Sequence, residues 1–404
     1  MKVCFLVSEH PFLDARIFKK EAKSLLKKGY EVTLIVPKID GHLLSISGKK
    51  LGAPFQANTF FHEGIKIVTY DKVYLENRLK SLNYNIHSTR SERFTDPLTT
   101  LGILEEADIY HAHELFSFYS GVGIKRALRE LKSMEVKLVY DSHELDPDVS
   151  TTSPKKYKLM MEMLQMMLKE VDFVITVSES IKSWFQNLNP HVPVEVIYNS
   201  PPLTPLYSPK NYHQEHLLVV YEGIMNETKG NFRKLLEITE ICNKKIDLRF
   251  KIIGGTKEWD KKSIDIPPHL TDKIELTGWI DYDSLPSELS NAHLGWIDLQ
   301  PSKSLNHQFA MPNKFFSYLN SGIPVLVNNC TDMKKFLQKY KCGYVVNNNE
   351  PTAEEYASAI LSLYENKILL QQMSRNARNT LENTYHWGEM EKRLFLIYGN
   401  LLNS

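Results

Sequence analysis

The chain has 404 residues, a net charge of +1 and 42% hydrophobic residues. That length suffices for two or three domains with separate cores, and the balanced charge excludes a global field that would recruit nucleic acid or acidic lipid. Four scattered cysteines (Cys4, Cys242, Cys330, Cys342), each in or beside an apolar segment and none in a CxxC pair, read as reduced thiols rather than bridges. No run reaches the roughly 18 apolar residues of a membrane span, and the start lacks signal-peptide order, so a soluble, cytoplasmic protein is expected.

Short β-branched runs alternate with helical segments from the first residues onward. Strands are expected at 3–7, 31–36, 65–70, 108–110, 137–140, 173–177 and 194–198. Helices fall between them, such as 15–28 and 154–170, the second with Ser153 placed to cap it and Pro154 in its first turn. Residues 40–54 and 83–100 lack clear periodicity and read as long loops. After the proline-stiffened stretch Asn199-Ser200-Pro201-Pro202-Leu203-Thr204-Pro205, a second series of strands is expected at 217–221, 248–253, 273–277, 294–297 and 324–328. Strand–helix alternation of this kind gives parallel, doubly wound α/β sheets, here in two domains.

The segment NHQFAMPNKFFSYLNSGIPVLVNN, residues 306–329, reads as loop, short helix and buried strand. Pro312 fits the first helical turn, Gly322 the left-handed residue past the helix end, and Pro324 the opening of a strand at 325–327. Met311 offers no side-chain acceptor, so the N–H groups of Asn313, Lys314 and Phe315 want an outside one. A phosphate supplies it, and Lys314 adds charge there; a plain helix capped by water fits the same pattern.

Open parallel sheets bind ligands outside the carboxyl ends of their strands. The polar residues gather at those ends: Ser8-Glu9-His10-Pro11 followed by Asp14 and Arg16, then His111-Ala112-His113-Glu114, Asp141-Ser142-His143-Glu144 and Ser178-Glu179-Ser180. In the second half the ends are Glu222-Gly223, Gly254-Gly255 and Thr277-Gly278-Trp279. Singly each is an ordinary turn or cap. Their shared position in both halves predicts a polar cleft between two sheets.

In chain order, SEHPFLDARIFKKEAKSLLKKGYEVTLI, ADIYHAHE, KLVYDSHE, DFVITVSES, VEVIYNSP, YEGIMNETKG, FKIIGG, IELTGWI, PNKFFSYLNSGIPVLV and YHWGEMEKRLFLIYGNLL resemble family 4 of the retaining glycosyltransferases. The resemblance spans nearly the whole chain. It implies the GT-B fold, two Rossmann-like domains facing across a cleft: an acceptor domain of residues 1–200, a donor domain of 201–385, and a helix of about 386–404 crossing back to the first. It also implies a nucleotide-diphosphate sugar as donor, a polysaccharide or lipid-linked acceptor, and no cofactor or metal. Transfer on the same face of the sugar, with the leaving diphosphate taking the acceptor proton, leaves the protein to orient and to stabilise charge.

By the resemblance, His113 meets the donor sugar or the reacting centre, and Lys229 holds the diphosphate with the amides of Asn313 and Lys314. Gly254, Gly255, Gly278 and Trp279 wall the base pocket, Gly223 joins them on the donor side, and Asp14, Arg16, Glu114 and His143 lie on the acceptor side. Two departures stand out. The arginine usual after the glycine of the second domain's first strand is Ile224 here, leaving Lys229 with help from Arg233. The family's two glutamates, with seven residues between them, fall at Phe309 and Ser317. The second normally accepts hydrogen bonds from ribose hydroxyls, which a short neutral serine does weakly, so Ser317→Glu is expected to tighten donor binding.

Other constellations have bland readings beside the sharp ones. His111, His113, Glu114 and His143 have metal-ligand character, yet a packed and a site-facing histidine give the same strand pattern. Asp146-Pro147-Asp148 and Asp281-Tyr282-Asp283 imitate a metal-binding DxD but read as a turn and a loop. The methionines of 158–168 follow core helical spacing, with membrane contact the minority reading, and Lys19, Lys20, Lys23, Lys27 and Lys28 read as a solvated face able to touch an anionic membrane. Two function classes remain: a transferase of hexose or a similar sugar, favoured by the presence of His113, Lys229 and Lys314, and a non-catalytic GT-B subunit that binds a partner.

Overall fold

The computed structural model describes residues 1–403 apart from 89, 151, 206, 226–229 and 257–264. Lys229 therefore lies outside the described residues. The chain divides into two units, Met1–Ile197 with Glu391–Ser404, and Tyr198–Met390, so the divisions fall at 197/198 and 390/391 rather than at 200/201 and 385/386.

Among the described residues the first unit holds an eight-stranded sheet. Its strands are β1 (Lys2–Val7), β2 (Glu31–Lys38), β3 (Thr59–His62), β4 (Ile65–Asp71), β5 (Ile109–His113), β6 (Lys137–Ser142), β7 (Phe173–Thr176) and β8 (Val194–Val196). They lie in the order β3-β4-β2-β1-β5-β6-β7-β8, parallel throughout except for β3 against β4. The inner strands are apolar on both faces, as sheets covered on both sides must be: Val3, Cys4, Phe5, Leu6 and Val7 of β1 are all buried. The chain winds outward from β1 to β2 and β4, then returns to β5 on the other side of β1. That reversal makes the gap between the ends of β1 and β5 the place where this architecture holds ligands. Register brings Val7 opposite His113, and His113 opposite Asp141.

The second unit repeats the plan. Strands β9 (His216–Ile224), β10 (Asp247–Gly255), β11 (Ile274–Gly278), β12 (Leu294–Ile297), β13 (Val325–Val327) and β14 (Gly343–Val345) form a parallel sheet in the order β11-β10-β9-β12-β13-β14. The reversal falls between β9 and β12. These two pair only at Leu294↔Val219 and Gly295↔Val220, while β9 stays in register with β10 as far as Ile224↔Gly255. The helix Asn313–Asn320 takes the room between the diverging ends. A Cβ at Gly295 would stand 2.2 Å from the Tyr318 ring, and the Tyr318 hydroxyl accepts the Glu222 N–H at 2.9 Å. Trp296, Tyr221, Phe250 and Tyr356 pack the core beneath.

Several local expectations need correction. The expected loop at 83–100 carries the end of the helix Leu79–His87 and the start of Pro97–Glu105. Asp96 caps the latter by accepting the Thr99 N–H at 2.9 Å; Thr99, Thr100 and Gly102 had blurred its helical signature. The helix expected at 15–28 is a π-helical turn, Ile17–Ala22, followed by Lys23–Lys27, and it buries Lys20 instead of solvating it. Ser153 precedes the helix Pro154–Met167 without a side-chain cap bond. Strands β3 and β14 went unforeseen because four and three residues are too few to show a period of two.

The last helix, Trp387–Asn403, leaves the second unit and joins the first. There Leu394, Ile397, Tyr398 and Leu401 are buried, and Arg393 donates to the Val196 carbonyl at 3.0 Å. Among the described residues no helix is long and apolar enough to cross a membrane.

Candidate functional site

In the first unit the ends of β1, β5 and β6 bring four histidines and four acids together. Asp141 is the hub. Arg16, buried at 1% exposure, donates to both of its oxygens, from Nε and from NH2, each at 2.9 Å. Arg16 also donates to the Ile197 carbonyl at 2.8 Å and pairs with buried Glu21 at 3.0 Å. Against the same carboxylate lie His113 Nδ1 at 3.5 Å, His143 Nε2 at 3.4 Å and His111 Nε2 at 3.7 Å. His113 Nδ1 and His143 Nε2 share a hydrogen bond of 3.0 Å. The rings of His111 and His113 stack at 4.5 Å, and both stack on Phe5. His111 Nδ1 is fixed from the far end of the chain by the Tyr398 hydroxyl at 2.8 Å.

A second layer sits at the β1 and β5 ends. His10 Nε2 is 3.3 Å from Glu114 Oε1, His10 Nδ1 3.7 Å from Asp14, and His143 Nδ1 3.7 Å from Glu114. Asp14 turns the chain by accepting the N–H groups of Arg16 and Ile17 at 2.8 and 3.0 Å. Glu114 has φ of 71° and ψ of 169°, a conformation strained for any residue but glycine. Such strain persists where its surroundings over-determine it, as at ligand sites, and the Glu114 N–H is held by the Asp141 carbonyl at 3.1 Å.

Burial and pairing divide the protons. Burial, then His111, pushes His113 well below its ordinary value, and burial lowers His143 to about 4. Asp141 is held well below the carboxylate range: burial opposes this, but Arg16 and His143 outweigh it. His10 goes the other way, to about 9, because Glu114 and Asp14 outweigh its burial. Near neutral pH the rings of His113 and His143 are thus neutral, while His10 holds its proton against a Glu114 carboxyl that burial raises to about 8. His113 Nε2 is buried and has no hydrogen-bond partner among the described residues.

Two groups here have the spacing of metal ligands: Glu21, His111, His113 and Asp141, and His10, Glu114 and His143. In the first, Arg16 already pairs with both acids, so a cation would meet a fixed positive charge. Of the four residues expected on the acceptor side, Asp14, Glu114 and His143 stand together around His10, while Arg16 is spent on Asp141, Glu21 and the backbone. His113 is fully buried rather than open to solvent.

In the second unit the described residues expected on the donor side lie at the ends of β9, β10 and β11 and in the helix Asn313–Asn320. Gly254, at φ +115°, is where no side chain fits: a Cβ would come 2.5 Å from the Gly223 carbonyl. Gly223 and Gly255 also have positive φ, and Gly278 is open above its strand end. Trp279 donates its indole N–H to the Thr256 carbonyl at 2.8 Å. Pro312 is the residue before the helix rather than its first, no side chain caps the start, and the Phe315 N–H turns back to the Pro312 carbonyl at 2.9 Å. The Phe315 amide, one of the three expected to want an outside acceptor, is therefore satisfied within the chain. The Lys314 ammonium lies 3.9 Å from the centre of the Tyr221 ring, and a Cβ on Gly223 would be 3.5 Å from it.

Ser317 is buried, bonded at 3.3 Å to the Asn313 carbonyl one turn back and at 3.4 Å to the Glu222 carboxylate. Arg233 is exposed, and the neighbouring Lys234 reaches inward to Asp298 at 2.8 Å. Asp141, His10 and Glu222 were named from sequence only as members of the strand-end groups, with no role of their own, and Glu21 and Lys234 were not named at all. The strand-end signal that picked out the first three is absent for Glu21 and Lys234, which lie within helical segments.

Two family profiles match the chain, "Glycosyltransferase Family 4" over residues 15–200 and "Glycosyl transferases group 1" over residues 216–366. No curated protein sequence matches. Among solved structures, sucrose-phosphate synthase from Thermosynechococcus elongatus is similar at TM-score 0.72 and 14% identity, covering 100% of this chain and 99% of that one. HepE of Anabaena, in complex with UDP-glucose, is similar at TM-score 0.68 and 12% identity, covering 99% and 100%. A trehalose-6-phosphate protein of E. coli bound with UDP-2-fluoro glucose follows at TM-score 0.64 and 10% identity, covering 99% of each chain. At such identities the likeness is one of fold, the GT-B class with its two parallel-sheet α/β domains.

Proposed function

Because the chain belongs to family 4 of the glycosyltransferases, we propose that it moves a sugar, with retention, from a nucleotide-diphosphate sugar to a polysaccharide or lipid-linked acceptor. The observation that carries the donor half is the helix Asn313–Asn320. It starts without a side-chain cap beside the end of β9, with the Lys314 ammonium at its first turn. A helix start and a cation at one point are what a diphosphate needs. Lys229 and the amides of Asn313 and Lys314 hold it, and this charge takes the place of a metal ion.

The acceptor is assigned to the first unit, where Asp14, Glu114, His143 and His10 offer hydroxyl-binding groups. The leaving diphosphate takes the acceptor proton, so a neutral, rigidly stacked His113 orients and donates or accepts hydrogen bonds rather than acting as nucleophile. The HepE structure is a complex with UDP-glucose and the E. coli one is bound with UDP-2-fluoro glucose, which makes UDP-glucose the first donor to assay.

The test is a panel of nucleotide sugars read by melting temperature and by release of nucleoside diphosphate. A donor should stabilise the protein, and His113→Ala should lower turnover about 10²–10³-fold with the fold intact. Lys229→Ala should weaken donor and free diphosphate alike. No stabilisation and no release with any donor sinks the enzyme reading; an unchanged rate in His113→Ala removes that residue from the mechanism.

A further inference from the structure

Packing does not account for Glu222. It stands two residues before the end of β9 and two beyond the last β9–β12 pair, where the two strands have diverged at the second sheet's reversal. Oε1 accepts the Ser317 hydroxyl at 3.4 Å, whereas Oε2 is buried and takes no hydrogen bond among the described residues. A buried, unsatisfied carboxylate oxygen is costly to fold around, and a native site that keeps one has a use for it. The groups facing it are Lys314, Ser317 and Tyr318 of the helix and Tyr221 of its own strand. Strand β10 brings only the uncharged Ile253 and Gly254 alongside.

We propose that Glu222 is a donor-binding carboxylate that accepts hydrogen bonds from a pair of hydroxyl groups on the nucleotide sugar. The inference rests on the donor reading above, which places the diphosphate at the start of the helix Asn313–Asn320. A carboxylate is an acceptor only, and its two oxygens suit two adjacent hydroxyls, each with one hydrogen to give. A nucleotide sugar anchored by its phosphates offers such pairs on the ribose and on the transferred sugar. Ser317 then has a role of its own: its hydroxyl orients the Glu222 carboxylate, and its small size leaves room for the ligand. The expectation that Ser317→Glu tightens donor binding is reversed, since a second carboxylate would stand against the first.

A pH effect follows. Burial pushes the Glu222 carboxyl up to about 7, with Lys314 and Ser317 opposing. The acceptor form therefore grows as pH rises through 7, and donor affinity rises with it by an increment that Glu222→Gln lacks.

The experiment is calorimetric titration of the full-length protein with UDP-, GDP- and ADP-glucose and their free diphosphates at pH 6 and 8. It compares the wild type with Glu222→Gln, with Ser317→Glu, and with the exchange Glu222→Ser plus Ser317→Glu. Glu222→Gln should weaken the sugar nucleotide roughly ten- to a hundredfold, flatten the pH dependence and keep the melting temperature. Ser317→Glu alone should also weaken it, and the exchange should recover part of the loss. An equal loss with the free diphosphate, absent when its 2′-deoxy form is the probe, assigns the ribose pair; a loss with the sugar nucleotide only assigns the transferred sugar. Equal affinity of wild type and Glu222→Gln for a ligand that both bind overturns the role of Glu222. Failure of the wild type to bind any of the six overturns the donor reading itself.

Discussion

Asp141 shows how one side chain sets the state of a whole site. Its ionised form is stabilised by a two-pronged guanidinium contact, and three imidazoles read its position. Both charges are out of water, so the pair is worth little beyond an apolar replacement, but breaking it strands the partner. Asp141→Asn should lower stability by roughly 3–5 kcal/mol because Arg16 keeps its charge at 1% exposure. Urea unfolding measures this; a loss below about 1 kcal/mol would mean that Glu21 alone compensates Arg16. Sequence made His113 conspicuous and left Asp141 ordinary. An aspartate after a strand is commonplace, and only the β5–β6 register shows it opposite His113.

At the scale of elements, the helix Asn313–Asn320 was legible in detail at its C-terminal end and less so at its start. Gly322, at φ +63°, closes it as expected: its N–H bonds to the Leu319 carbonyl at 3.0 Å and the Ile323 N–H to that of Tyr318 at 2.9 Å. Glycine chemistry is local, so the sequence shows it. Pro312 fits either the position before the helix or the first within it, and a pattern cannot separate the two. Gly322→Ala should destabilise by about 1–2 kcal/mol from the left-handed backbone alone. The added Cβ also meets the Tyr207 ring at 2.6 Å, which raises the cost. The same change at Gly399, in the last helix with nothing within 4 Å of a new Cβ, should stabilise by about 0.5–1 kcal/mol. Chemical denaturation of the two variants should therefore give opposite signs; equal signs would show that backbone conformation is not what governs Gly322.

At the scale of the molecule, the first unit is completed by the end of the chain. Tyr398 is fully buried there and bonds His111 across 287 positions of sequence. Tyr398→Ala removes that bond and leaves a large void, a loss of the order of 3–5 kcal/mol. Cysteine protection gives a readout for each unit, because Cys4 is in the first, Cys242, Cys330 and Cys342 are in the second, and all four are buried. In Tyr398→Ala a thiol reagent should reach Cys4 sooner while the other three keep their protection. Equal acceleration at all four would show that the last helix stabilises the molecule as a single cooperative block.

What the sequence determined by itself was whatever rests on near neighbours in the chain. Strand–helix alternation, the ends where polar residues collect, the glycines of tight turns and the two-series organisation are local patterns, and the family resemblance is a string of them. The tertiary structure decided what depends on residues far apart. It buried Lys20, which a surface pattern had assigned to solvent, and Arg16, which the family resemblance had put on the acceptor side. It gathered Arg16, His111, Asp141 and Tyr398 around one proton-poor cluster. It also set Glu222 beside Ser317, 95 positions away, so that a carboxylate stands next to the position where the family resemblance expects one. The physical reason is the same in each case: burial and charge pairing are properties of a place, and parallel sheets make each place from strands distant in sequence.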